Sequence, residues 1–319
     1  MGSLRPRVAA TLLLGSLVAL ALTSCGGDEV TTTTAVTVDT TLPSSTTSAL
    51  ESTVTTGESQ EQIGMIESSD GGATWEFKGY AQFNAPDLNP VDPSVLWDGG
   101  LLVLYFLDLN SLGQDEAVFY RTVATDDTGL DFTPPEAALR YQGEFTDQDV
   151  VRLPGGPFRA FLVSHTAGGI VSATSADGHL FTLDPGAVTS AGSVPGALVL
   201  PDGRVRLFVH SAGITSVISD DGLNFSSEPG VRIPIPEGSY MVADADPILT
   251  LDGNYLMAYK LREGQTEEPT EDQVYLAESA DGFTWTTQPG PLVRGSVPTL
   301  VQLPDRRLRI YYVDFPKDD

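Results

Sequence analysis

The chain reads as an all-β, five-bladed β-propeller that follows a signal peptide and a disordered Thr/Ser-rich tether, and two interleaved repeats predict the propeller. The first repeat is a turn. Its fullest copy is Ser68-Ser69-Asp70-Gly71-Gly72-Ala73-Thr74-Trp75, and looser copies occupy 125–132 (TDDTGLDF), 175–181 (SADGHLF), 219–225 (SDDGLNF) and 279–285 (SADGFTW). The second repeat is a strand, a turn and a strand, at 91–108, 146–164, 193–211, 245–261 and 296–314. The aromatic residues that close the first repeat, Trp75, Phe132, Phe181, Phe225 and Trp285, stand 57, 49, 44 and 60 positions apart. A unit of about 50 residues made of four short strands is a propeller blade.

Each element has a local reason. In the turn, an Asp carboxylate can cap backbone N–H groups, Gly supplies positive φ, and the aromatic ring packs between neighbouring sheets. In the hairpins, β-branched and aromatic residues fill the strands, while Asp-Gly, Gly-Gly or Asp-Arg marks the bend. The propeller begins with an outer hairpin and ends with an inner one, so residues near 63–80 should complete the blade begun at 296–314. A sixth blade is the fallback if 76–91 holds an irregular strand pair.

The N-terminus is read from composition. Residues 1–24 carry Arg5 and Arg7 and then the apolar run Val8 to Leu22, of signal-peptide length and short for a bilayer span. Leu22-Thr23-Ser24-Cys25 resembles the lipobox of bacterial lipoproteins, which implies cleavage before Cys25, a diacylglycerol on its thiol and a place on the outer side of the cell membrane. Cys25 is the one cysteine of the chain and cannot form an internal disulfide. The alternative is an ordinary secretory signal with an incidental cysteine. Residues 25–62 form the linker, rich in Thr, Ser and Val without apolar periodicity, and cannot bury enough surface to offset ordering entropy. The folded domain spans 63–319.

Charge removes several function classes. The chain has 17 Lys+Arg against 43 Asp+Glu, a net charge of −26. Nucleic acid is not an expected partner for such a surface, and no polybasic patch is present for membrane contact, so lipid on Cys25 must supply it. A monomer is expected.

Strand parity assigns the two faces of the propeller. The repeated turns join third and fourth strands and lie away from the long variable connections, so Asp70, Asp127, Asp177, Asp221 and Asp281 are structural. The opposite face receives the starts of the innermost strands, which line the channel. Aligning the inner hairpins places Asp92, Asp147, Val194, Asp246 and Val297 at one position. Like charges held close and partly desolvated raise a pKa, recruit a cation or act on a substrate. The alternative is that each Asp caps backbone N–H groups at a strand start.

Two family resemblances enter on these residues. Five blades, inner strands opening with Asp-Pro and short SxDGxxW/F hairpins resemble, over roughly 63–319, the five-bladed glycoside hydrolases of the arabinanase, xylosidase and invertase type. In those families a first-blade Asp is base or nucleophile, a second-blade Asp orients or tunes, and a third-blade Glu is the acid. The resemblance implies Asp92 and Asp147 for the first two roles. The third position is Val194, so protonation of the leaving oxygen would fall to Glu144 or Glu237 by a different geometry. The turn at 68–75 matches the Asp-box pattern S-x-D-x-G-x-T-W of sialidase-like propellers, and Arg232-Ile233-Pro234 echoes their Arg-Ile-Pro motif. Here that motif follows four of the turns, and Arg121, Arg152, Arg206 and Arg262 show no clamp for a sugar carboxylate.

The sequence therefore points to a surface lipoprotein that binds a carbohydrate or other extracellular ligand at a mouth bearing Asp92, Asp147 and Asp246, with Ca²⁺ as the candidate ion held by those three carboxylates. A glycoside hydrolase and a protein-docking scaffold are the alternatives. His165 and His210 lack a spaced third ligand for zinc.

Overall fold

The structure, a computed structural model, describes residues 61–112, 116–143, 145–264 and 271–315. The signal peptide at 1–24, Cys25 and the linker up to residue 60 lie outside them, as does Glu144. The described residues form five antiparallel blades. The chain enters with β1 (Gln62–Ser68) and β2 (Glu76–Tyr80). Blade one is β3 (Pro90–Asp98), β4 (Leu101–Asp108), β5 (Ala117–Val123) and β6 (Glu136–Tyr141). Blade two is β7 (Phe145–Arg152), β8 (Phe158–Ser164), β9 (Gly169–Ser175) and β10 (Thr182–Thr189). Blade three is β11 (Ser193–Val199), β12 (Val205–Ser211), β13 (Gly213–Ser219) and β14 (Ser226–Ser227). Blade four is β15 (Ser239–Leu249), β16 (Tyr255–Glu263), β17 (Asp272–Ser279) and β18 (Thr286–Thr287), with β19 (Val293–Arg294) also on β17. Blade five begins with β20 (Ser296–Gln302) and β21 (Leu308–Asp314), and is completed by β1 and β2.

The blade count and the closure are as the repeats predict. β1 pairs with β21 over seven residues, from Gln62↔Asp314 to Ser68↔Leu308, so the first and last described strands clasp the ring. The segment 76–91 holds the outer strand of that blade and the start of β3, and no sixth blade.

Each seam between blades carries its own apolar core, and one turn aromatic serves each. Phe132 packs between blades five and one, Phe181 between one and two, Phe225 between two and three, Trp285 between three and four, and Trp75 between four and five. The turns also use their acidic residues as expected. The Asp281 carboxylate accepts from the N–H groups of Phe283 and Thr284 at 2.8 and 2.7 Å, which holds its pKa down to about 2. Gly178 and Gly282 take φ of 80° and 66°. Blade one departs from the alignment: Asp126, not Asp127, accepts from Thr128, because the copy at 125–132 carries an extra residue before its Gly.

Two rings of residues hold the channel. In every inner strand the pairing with its neighbour slips by a bulge, between Val91 and Ser94, Thr146 and Asp149, Ser193 and Gly196, Ala243 and Asp246, and Ser296 and Thr299. The first residue inside each bulge is left-handed: Asp92 (φ 50°), Asp147 (53°), Val194 (53°), Asp244 (52°) and Val297 (46°). Such a conformation costs about 1–3 kcal/mol for a non-glycine residue and persists only where the surroundings dictate it. Two residues further on, a second ring fastens each blade to the next. Val95 N–H donates to Thr299 Oγ1 (2.9 Å), Val150 N–H to Ser94 Oγ (3.0 Å), Ala197 N–H to Asp149 Oδ2 (2.6 Å) and Leu300 N–H to Asp246 Oδ2. At the fifth junction, between blades three and four, the residues are Gly196 and Pro247. Neither can make the bond, and the backbones meet directly instead.

Candidate functional site: the channel mouth

The bulge register corrects the sequence alignment of the mouth. The blade-four member of the left-handed ring is Asp244, and Asp246 is the fastener two places on, its carboxylate bound to the backbone of blade five. The alignment followed the Asp-Pro dipeptide at Asp246-Pro247, whereas blade four carries Asp244-Ala245 in its bulge. The signal was present: stepping eight residues back from Asp202, Asp252 and Asp305 in the hairpin turns reaches Val194, Asp244 and Val297. Asp149 was missed for the same reason. It too is a buried carboxylate spent on a neighbouring blade, receiving Ser94 Oγ–H (2.8 Å) as well as the Ala197 N–H.

Asp92, Asp147 and Asp244 thus share one ring at the start of the inner strands, each buried with 4, 6 and 7% of its surface still open. Val194 and Val297 adopt the same backbone, so the conformation does not require Asp. The three carboxyl groups have different partners. Asp244 Oδ2 lies 2.7 Å from the ammonium group of Lys260, which Ala243 pairs across the hairpin. Burial works against the Lys260 charge and the Asp244 carboxylate outweighs it, leaving that pKa raised. Behind Lys260, Asp272 is bidentate to Arg262 at 2.5 and 2.9 Å. Asp92 accepts from the Asp147 N–H at 2.9 Å, and its own carbonyl accepts from the Gln148 amide. Its pKa is pushed up to about 8 by burial and then by the Asp147 charge. Asp147 is pushed up to about 6 by burial and then by the Asp244 charge. Its Oδ2 accepts from Thr146 Oγ at 2.6 Å, whereas its buried Oδ1 has no hydrogen-bond partner among the described residues.

These raised carboxyls set a pH dependence. Asp92 in the folded protein keeps a proton that the unfolded chain releases near pH 4, so between about pH 4 and 8 the native state binds more protons and stability falls as pH rises. The turn residues Asp70 and Asp281, held down to about 2, act oppositely, and their contribution is lost below about pH 4. The melting temperature is expected to peak between about pH 4 and 6, with Asp92→Asn flattening its decline toward pH 8. A wild-type melting temperature that climbs steadily from pH 5 to 8 would contradict this reading.

The other candidates separate from the mouth. Glu237 lines a lateral groove between blades three and four and is not among the residues around the axial cavity. The calcium set of Asp92, Asp147 and Asp246 does not assemble: Asp246 is bound elsewhere, Lys260 is the cation beside the ring, and no described cluster of three or more His, Cys, Asp or Glu could hold a metal ion. Arg152 pairs with Asp98, Arg206 with Glu228 and Arg262 with Asp272, while Arg232 is buried under Phe283, so these guanidinium groups form no carboxylate clamp. His210 Nδ1 meets the Val242 carbonyl at 2.8 Å.

This architecture is shared with glycoside hydrolases. The fold is similar to the endo-arabinase from Bacteroides thetaiotaomicron (16% identity, TM-score 0.55), over 72% of this chain and 95% of that one. It is also similar to a thermostable family-43 glycoside hydrolase (14%, TM-score 0.53; 72% and 90%). A structure from the GH130 family of mannoside phosphorylases, which contains glycoside hydrolases that target β-1,2 mannosidic linkages, matches with 12% identity and TM-score 0.50 (72% and 85%). No protein-family model and no curated protein matches the chain. What the likeness establishes is the five-bladed fold.

Proposed function

We propose that the propeller binds a carbohydrate at the channel mouth without hydrolysing it, and that lipid on Cys25 tethers it to the outer side of the membrane. The observation that carries the reading is the ring of Asp92, Asp147 and Asp244 gathered at the starts of the inner strands, where burial and neighbouring charge raise the pKa of the first two. A sugar seated over the ring would meet the part of these carboxyl residues that stays open, 4% of Asp92 and 6% of Asp147. Hydrolysis would add a carboxylic acid poised over the leaving oxygen. The third ring position supplies Val194, and Asp244 is paired with the Lys260 ammonium group at 2.7 Å. The neighbours' activity on glycosidic linkages agrees with a sugar as the ligand class.

The test uses the full-length protein with arabinan, xylan, fructan and sialyl oligosaccharides, read by calorimetry and by release of reducing ends. Binding to at least one glycan without turnover is expected, weakened about tenfold or more, or ~1.4 kcal/mol, in Asp92→Asn and Asp147→Asn. Turnover that both variants abolish would replace the proposal with a hydrolase, and binding to none would favour a docking scaffold. Cys25→Ser should move the protein from the membrane fraction to the soluble one, and unchanged fractionation would refute the tether.

A further inference from the structure

A groove of about 820 Å³ runs between blades three and four, away from the axial cavity. Ligand sites span roughly 300–1,000 Å³. The groove lies between the connection 232–239 that leads out of blade three and the face of β16, β17 and β18 in blade four. Its wall is aromatic. Tyr275 is half-buried there, with Tyr259 stacked at 5.8 Å on one side of it. Trp285 stands edge-on to Phe208 at 5.6 Å.

The Trp285 indole differs from its counterpart. In the first turn, Trp75 Nε1–H donates to the Gly72 carbonyl (3.1 Å), closing the turn on itself. In the last turn, the corresponding Gly282 carbonyl is taken by Arg206 (2.9 Å), and Trp285 Nε1 is buried with no partner. A buried polar group without a partner calls for an explanation in function or bound solvent. Around the rings stand Glu237 and Glu263, the Gln288 amide and the Thr287 hydroxyl. Arg232, the cation of the lining, is committed to Ser216, Pro229 and Phe283.

We infer that this groove is a second, lateral glycan-binding site, which takes a neutral oligosaccharide by stacking on Tyr275 and Trp285 and by hydrogen bonds to Glu237 and Gln288. Flat rings meet the C–H face of a sugar, and carboxylate and amide groups meet its hydroxyls. With Arg232 committed and two carboxylates in the wall, an anionic sugar is excluded. The site stands whether or not the mouth binds sugar, because it shares no residue with it.

Trp285 is one of three tryptophans in the chain, so its emission can report the site. The full-length protein is titrated with arabinohexaose, xylohexaose and mannohexaose, following tryptophan emission and heat. A saturable change with at least one of them is expected. Tyr275→Ala and the surface substitution Gln288→Ala should each weaken it about fivefold or more, Trp285→Phe should abolish the emission change, and Asp92→Asn should leave the emission change intact, whatever heat from the mouth it removes. No saturable change with any of the three, or one that survives Tyr275→Ala and Gln288→Ala but vanishes with Asp92→Asn, overturns the lateral site. The second of those outcomes would leave the mouth as the sugar site, which keeps the two proposals separable.

Discussion

Gly196→Ala is expected to prevent blade three from seating against blade four, at a cost of about 4 kcal/mol or more, enough to remove most of the soluble protein. A Cβ at that position would lie 1.6 Å from the Ala245 carbonyl oxygen and 3.1 Å from Pro247 Cδ. The oxygen belongs to the backbone of the innermost strand and cannot move without shifting the Asp244 bulge. At the other four junctions a side chain bridges the blades, so there is room for one. Gly155→Ala is the control: its φ of 87° is unfavourable for alanine, but nothing lies within 4 Å, and a loss of only ~1 kcal/mol is expected. Chemical denaturation of the two variants checks the account. A Gly196→Ala protein no less stable than Gly155→Ala would refute direct backbone contact at this seam.

The second large effect concerns Lys260. Its ammonium group and the Asp244 carboxylate are each 3% exposed in their side chains, so neither can exchange its partner for water. Lys260→Met fills similar space, yet leaves Asp244 as an uncompensated buried charge, and a loss of about 3–5 kcal/mol at pH 7 follows. The damage comes from the surviving partner rather than from the missing attraction. Adding Asp244→Asn to Lys260→Met should therefore restore much of the stability, since the amide oxygen can still accept from Val297 N–H and Asp272 keeps Arg262. Denaturation midpoints of the single and double variants decide it. If the double variant is as unstable as Lys260→Met alone, the penalty lies in packing and not in charge.

The candidate site was legible only in part. Asp92 and Asp147 can be placed at the channel from the hairpin repeats, because bend and strand start lie on one short piece of chain. Asp244 could have been, by counting back from Asp252, but Asp246 carries the more conspicuous Asp-Pro pair. Lys260 gave no signal at all. In sequence it is one cation in the otherwise apolar run Tyr255 to Leu261, and its meaning comes from pairing with Ala243 across a bulge. The same holds for the Gly282 carbonyl, which Arg206 takes from Trp285 across 76 positions of chain.

What the sequence by itself determined was the all-β class, five blades, the closing blade shared between the two ends of the propeller, and the packing of one turn aromatic into each seam. Those features follow from interactions spanning a few residues, repeated with a period that shows in the letters. What only the tertiary structure decided was which carboxylates meet and in what charge state, which acidic residues are spent as fasteners, and where a seam opens into a groove. These depend on a bulge that moves each inner strand out of simple alternation and on neighbours about one blade away. Burial then raises the pKa of Asp92 and Asp147, a quantity set by how much water the closed ring excludes.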